Sequence, residues 1–121
     1  MKVKILTAAL LAAILGTVAV NTLFLTRRID RTVREVEALH IEDEDAAMRA
    51  KEIYADFEKD EEYLSLTVNH NDLCEVGGLF IETIAYLTVK NAEEASVAKS
   101  RLIDALLHLR RLSGINVDSI F

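Results

Sequence analysis

Few side chains in this chain have chemistry at their disposal: one cysteine, Cys74, three histidines, His40, His70 and His108, and the acidic cluster Glu42-Asp43-Glu44-Asp45. A thiol becomes a nucleophile when an imidazole beside it takes its proton, and His70 stands one helical turn before Cys74. Cys74 also follows the apolar positions of its helix, however, where a small core cysteine is the simpler role. Metal or haem ligation would draw on the same four residues. No two histidines form an i, i+4 pair, so the spacing predicts no metal site and no cofactor. The acidic cluster lacks the alternating ligands and central glycine of a calcium loop, and suits a helix start, where free N–H groups welcome negative charge. Gly77-Gly78 has no preceding strand and no following Lys-Ser/Thr, so it reads as close helix packing or a local bend instead of a phosphate loop. On these grounds the chain is predicted not to be an enzyme.

The elements that must carry these residues are arranged around Ile5 to Leu25, an uncharged stretch of apolar and small residues interrupted only by Thr7, Gly16, Thr17, Asn21 and Thr22. At a rise of about 1.5 Å per residue it matches the ~30 Å hydrocarbon core of a bilayer, which predicts a single transmembrane helix. Residues 1–26 are thus read as an N-terminal membrane anchor and 27–121 as one helical domain. A cleavable secretory signal is the rival reading, with Lys2 and Lys4 in front and Thr17-Val18-Ala19 as the small-residue site. The apolar run continues past that site through Leu23, Phe24 and Leu25, which suits a retained signal-anchor. Lys2 and Lys4 are balanced by Arg27, Arg28, Arg31 and Arg34 on the other flank, so the basic residues alone leave the orientation open. The short basic leader resembles an export signal-anchor and favours an extracytoplasmic domain on the cell membrane.

Beyond the anchor the chain carries twelve of the fourteen basic residues and all twenty acidic ones. So acidic a surface repels nucleic acid and, taken as a whole, anionic lipid headgroups. Few aromatics, no proline and four glycines argue for helices over a sandwich or barrel. Ile29, Val33, Val36 and Leu39 or His40 recur at helical spacing, so the membrane helix is expected to continue outward as an amphipathic stalk. Ala47, Ala50, Tyr54, Phe57, Glu61 and Leu64 predict a second helix running to about Val68, with the acidic cluster in its first turn. Asn71 or Asp72 would cap a third, carrying Leu73, Val76, Gly77, Phe80, Ile84 and Leu87. Asn91-Ala92-Glu93-Glu94 has the spacing of a cap followed by an acid at the third helical position. It opens a fourth helix, with Ala95, Ala98, Leu102, Ala105, Leu106, Leu109 and Leu112 on one side and Gly114 placed to end it. The apolar tail Ile115 to Phe121 is expected to dock on the bundle.

Sliding the chain by 48 residues sets Val33 on Ile81, Leu39 on Leu87, Ala50 on Ala98, Lys51 on Lys99 and Tyr54 on Leu102. Helical periodicity alone produces such coincidences, so the offset supports two α-hairpins and no more. The predicted fold is all-α: a transmembrane helix followed by a small antiparallel helical bundle made of two α-hairpins.

Apolar residues off the main stripes are the remaining clue. Ile103 and Leu107 lie well away from the Leu102, Leu106, Leu109 face, and Leu79 and Tyr86 form a similar second strip on the third helix. Either helix two and the tail cover these residues, or Leu79, Tyr86, Ile103 and Leu107 form an interaction surface for a protein partner or a second copy.

From Tyr63 to Phe121, the stretch LSLTVNHNDLCEV, the helix ending in AYLTVKNAEEA, the Leu-rich helix and the terminal VDSIF resemble domain-of-unknown-function family forty-three sixty-three. Its members are small bacterial proteins with an N-terminal membrane segment and a helical remainder. The resemblance implies this architecture and brings no activity, substrate or cofactor with it. The function expected is a membrane-anchored, non-catalytic protein-interaction or structural module. The alternative is a ligand-sensing helical bundle acting through a membrane partner.

Overall fold

The computed structural model describes the backbone at 2–65 and 68–118, and side chains over the same span except at 63 and 113–118. Five helices follow in order: α1 (Lys2–Glu37), α2 (Ala46–Lys59), α3 (Glu61–Ser65), α4 (His70–Thr88) and α5 (Ala92–Asp118). No strand occurs among the described residues. α1 joins the apolar stretch and the amphipathic stalk without a break. It is long and apolar enough to cross a membrane, and no residue of its most apolar stretch is buried.

α1, α2, α4 and α5 run alternately up and down, and their cross-links fix the directions. The upper end of α1 meets α5 where Lys99 Nζ donates to the Leu39 and Glu37 carbonyl oxygens at 2.8 and 3.3 Å. Lower down, Arg110 Nε reaches Asp30 Oδ1 at 2.6 Å, and Arg28 faces Asp60, between α2 and α3, at 3.8 Å. The Lys99 ammonium satisfies carbonyls that the end of α1 leaves without helical partners. The α4–α5 contact is the most extensive, followed by α1–α5 and α2–α4, while α1 and α2 touch much less. The two hairpins are therefore present in chain order, but the first is held together largely through α5 and α4.

Two apolar clusters fill the bundle. The larger gathers Leu25, Ile29, Val33 and Val36 of α1 with Phe57, Leu64, Leu73, Val76, Phe80, Leu102, Leu106 and Leu109. Each such side chain contributes roughly 1.5–3 kcal/mol by leaving water. A smaller cluster of Leu39, Ala46, Ala50, Leu87 and Ala95 closes the upper end. The buried polar side chains Thr32 and Thr83 donate to the carbonyls four residues back, at 3.0 and 2.7 Å, so neither is left unpaired. Along the 48-residue offset, Leu39 and Leu87 are both buried, as are Ala50 and Ala98, whereas Val33 is buried and Ile81 is exposed. The offset marks matching places at the upper end only.

Several element ends differ from the sequence reading. The second predicted helix breaks at Asp60, whose N–H turns back to the Phe57 oxygen at 3.1 Å, so α2 and α3 replace one continuous helix. The acidic cluster stays in the loop before α2, with no acid in its first turn; Arg49 gathers it, 3.1 Å from Asp45 and 3.7 Å from Asp43. The cap of α4 is Asn69, whose side chain accepts from the Asn71 N–H at 2.9 Å, in place of Asn71 or Asp72. Asn91 does cap α5, with Oδ1 3.3 Å from the Glu94 nitrogen. Gly114 does not end α5, which runs on to Asp118. A glycine inside a helix costs only about 1 kcal/mol relative to alanine, which does not by itself end a helix. The docking expected of the tail Ile115 to Phe121 lies outside the described side chains.

Candidate functional site

The four residues singled out from the sequence do not share one face. Leu79 and Ile103 are half-buried and packed against the larger core cluster. Tyr86 is half-buried against the smaller one. Leu107 alone is exposed, at 38%. Three of them line separate recesses: Leu79 lies with Glu75, Ala105 and His108 between α4 and α5, Leu107 with Asp104, Arg110 and Arg111, and Tyr86 at the upper pole. A helical stripe read from sequence has only an angle; here its neighbours draw Leu79 and Ile103 inward and leave Leu107 out.

The upper pole holds the most enclosed of these recesses, a cavity of about 380 Å³ formed by the α1–α2 loop and the α4–α5 turn. Its floor is Leu87, Ala95, Ile41 and Tyr86; Glu42, Asp43, Glu44, Lys90 and Asn91 stand at its mouth. Lys90 takes φ 58°, the left-handed conformation that turns the chain from α4 into α5. The Asn91 N–H reaches the Tyr86 oxygen at 3.0 Å and the Lys90 N–H the Leu87 oxygen at 3.2 Å, the paired bonds of a Schellman ending. Val89 beside it is 71% exposed. The sequence reading missed this pole because its walls come from two loops some 45 positions apart. Of the residues singled out from the sequence, Tyr86 and the acidic cluster Glu42-Asp43-Glu44 border it.

Cys74 is exposed, so the expected small core cysteine is overturned. Its Cα follows the apolar stripe by one position, enough to turn the thiol outward. Its Sγ lies 3.4 Å from His70 Nε2 on the same helix face. His108 Nε2 stands 4.0 Å from Asp72 Oδ1, tying α5 to the first turn of α4. Among the described residues no three His, Cys, Asp or Glu side chains come close enough together to hold a metal ion. None of their buried side-chain nitrogens or oxygens lacks a partner either.

Where the pair of glycines was read as close packing, the two behave differently. A Cβ on Gly77 would meet Tyr54 Oη at 3.4 Å, so α2 and α4 do approach closely there, while Gly78 faces open space. The Tyr54 ring stacks on Phe80, centroids 5.0 Å apart, and burial, aided by the hydrogen bond and negative charge of Glu58, pushes its hydroxyl pKa up. This seam is structural in character: aromatic packing and one polar tip. Compared with family models, with curated proteins and with solved structures, the chain matches none.

Proposed function

We propose that this protein is a single-pass, membrane-tethered helical module whose bundle holds or recruits another protein without catalysing a reaction. The observation that carries the reading is the division of α1. Its first two dozen residues leave Val3, Ile5, Leu6, Leu10, Leu11, Ile14, Val20 and Leu23 exposed, whereas from Leu25 onward one stripe is buried in the bundle. So large an apolar surface is stable in lipid and not in water. The resemblance to family forty-three sixty-three is part of the same proposal, as is an extracytoplasmic bundle.

The test is labelling in intact cells. Val89 stands at the pole farthest from the apolar half of α1, so Val89→Cys in a Cys74→Ser background should react with a membrane-impermeant maleimide. Labelling only after lysis would reverse the orientation. Recovery of soluble protein trimmed near Ala19 would replace the anchor by a cleaved signal.

The polar cavity favours a second reading, a ligand-sensing bundle acting through a membrane partner. An apolar floor of Leu87, Ala95 and Ile41 beneath a polar mouth is the usual make-up of a small-molecule site. Under that reading Ala95→Leu, which fills the floor, abolishes the response to ligand and leaves membrane retention intact.

A further inference from the structure

The position of α5 relative to α1 carries an inference that rests on the membrane reading and goes beyond it. Arg110 is tied to Asp30, and the two helices are antiparallel. At about 1.5 Å per residue, the eight residues from Arg110 to Asp118 carry α5 about 12 Å further, which brings its end abreast of about Thr22. That level lies below Leu25, inside the uncharged stretch of α1. The covering of α1 agrees independently. Leu15, Val18, Ala19 and Thr22 are half-buried on the face that continues through Leu25 and Ile29, while Val20, Leu23 and Phe24 beside them are exposed.

At the same level the fold gathers arginines from both helices. Arg27 and Arg28 follow the apolar stretch of α1, and Arg110 and Arg111 arrive from the other direction on α5. Arg27 and Arg111 are exposed, and Arg28 lies over the Phe24 ring, 5.2 Å from its centroid. The acidic loop Glu42-Asp43-Glu44-Asp45 stands at the opposite pole, while at the arginine level Asp30 and Asp60 pair with Arg110 and Arg28, and Arg27 and Arg111 face outward. Beyond Arg111 the α5 sequence alternates apolar and polar residues, Leu112-Ser113-Gly114-Ile115-Asn116-Val117-Asp118. It is too short and too polar to span a bilayer and has the make-up of an interfacial segment.

We infer that the end of α5 is a second membrane contact: Arg110 and Arg111, with Arg27 and Arg28, meet the phosphates of anionic phospholipids, and the turns beyond Arg111 enter the headgroup layer beside α1. Guanidinium forks suit phosphate oxygens, and basic side chains near an anionic surface are drawn to it. Two attached helices fix the tilt of the bundle, which one helix alone would leave free.

The experiment uses the full chain with Cys74→Ser, reconstituted in nanodiscs and spin-labelled at Asn116→Cys or Val89→Cys. In phosphatidylglycerol discs the label at 116 should be several-fold less accessible to a water-soluble nickel chelate than the label at 89, and more accessible to oxygen. Equal nickel accessibility at the two sites would overturn the proposal. The double change Arg27→Gln with Arg111→Gln should raise nickel accessibility at 116, and phosphatidylcholine discs should reproduce that rise with the unmodified arginines. Indifference to both would remove the arginines from the contact. Carbonate washing of native membranes separates this from the anchor. A washed-off protein refutes the anchor and the second contact together, whereas a retained protein with position 116 in water refutes the second contact alone.

Discussion

The two halves of α1 share one uninterrupted backbone helix and differ only in how apolar side chains are distributed around it. Before Leu25 they point in all directions and none is buried, with only Leu15, Val18 and Ala19 half-covered near the boundary; from Leu25 on, Leu25, Ile29, Val33 and Val36 keep to one stripe and are buried, while Arg27, Arg31, Arg34 and Glu37 take the outside. Helix propensity is satisfied in both halves, so it does not decide the surroundings. Angular distribution does: an all-round apolar surface needs a solvent of hydrocarbon, and a striped one needs neighbouring helices. Membrane retention and bundle melting are therefore two separate readouts, and each substitution below should move one and spare the other.

The largest effect is expected from a charge on either side of the division. Ile29→Asp places an unpaired carboxylate in the main core at a cost of several kcal/mol, roughly 3 or more, which approaches the whole stability of a small domain. Circular dichroism should show the bundle melted or strongly destabilised, with the protein still in the membrane fraction. Leu11→Asp should do the reverse. It costs about 2.5–3.5 kcal/mol of insertion near the middle of the span and leaves the melting of detergent-solubilised protein unchanged. Equal loss of melting temperature in both variants would mean that the halves are not independent.

Within the bundle the same logic separates the two α5 residues that the sequence placed together. Ile103→Glu pushes a carboxylate against core neighbours and should cost about 1–3 kcal/mol, while Leu107→Glu, at an exposed position, should stay within about 0.5 kcal/mol. If Leu107 covers a partner or a second copy, its replacement should abolish co-purification or dimerisation with the melt preserved. A stable Leu107→Glu protein that associates as before would remove the last member of the predicted surface.

Helices, core stripes and the position of the long apolar helix were legible in the sequence because they depend on local composition and on periods of three to four residues. Ile29, Phe80, Leu102, Leu106 and Leu109 announce their faces through neighbours in the chain, whereas Leu25, which the sequence places at the end of the anchor, is buried in the bundle core. What was not legible depends on distant elements. The Lys99 ammonium on the α1 carbonyls, the Arg110–Asp30 pair and the cavity beneath Tyr86 all join positions more than 40 residues apart. The Asp60 break was hidden because Tyr54, Phe57, Glu61 and Leu64 keep their helical spacing across it. Cys74 was misread for the opposite reason: one position off a stripe is about 100° of rotation, enough to expose a side chain.

A smaller effect, confined to the bundle, is expected from its backbone. Lys90 holds a left-handed conformation that disfavours any residue with a Cβ, so Lys90→Gly should raise stability by up to about 1 kcal/mol despite greater chain entropy when unfolded. Gly78→Ala fills open space on an exposed helix face and should add about 0.5–1 kcal/mol. Both changes should raise the melting temperature by a few degrees and leave membrane retention untouched. A loss of stability in Lys90→Gly would mean that the Lys90 side chain at the cavity mouth contributes more than its backbone costs.

The smallest effect concerns Tyr54, whose pKa is raised above the ordinary 10.0, first by burial and then by the Glu58 hydrogen bond and charge. A group that holds its proton longer in the folded state than in the unfolded one contributes stability that is complete below the unfolded pKa. That contribution is lost as pH rises beyond it. Bundle stability should therefore be insensitive to this group at neutral pH and fall as pH climbs past about 10. Tyr54→Phe keeps the stacking on Phe80 and removes the titrating hydroxyl, so it should flatten that decline specifically. The comparison is between slopes of melting temperature against pH for the two proteins, not between their absolute values, because lysine deprotonation moves both alike. Parallel slopes would show that the hydroxyl is solvated well enough in the fold to ionise as it does in the unfolded chain. Membrane retention, which the proposed anchor assigns to the uncharged half of α1, should not follow either curve.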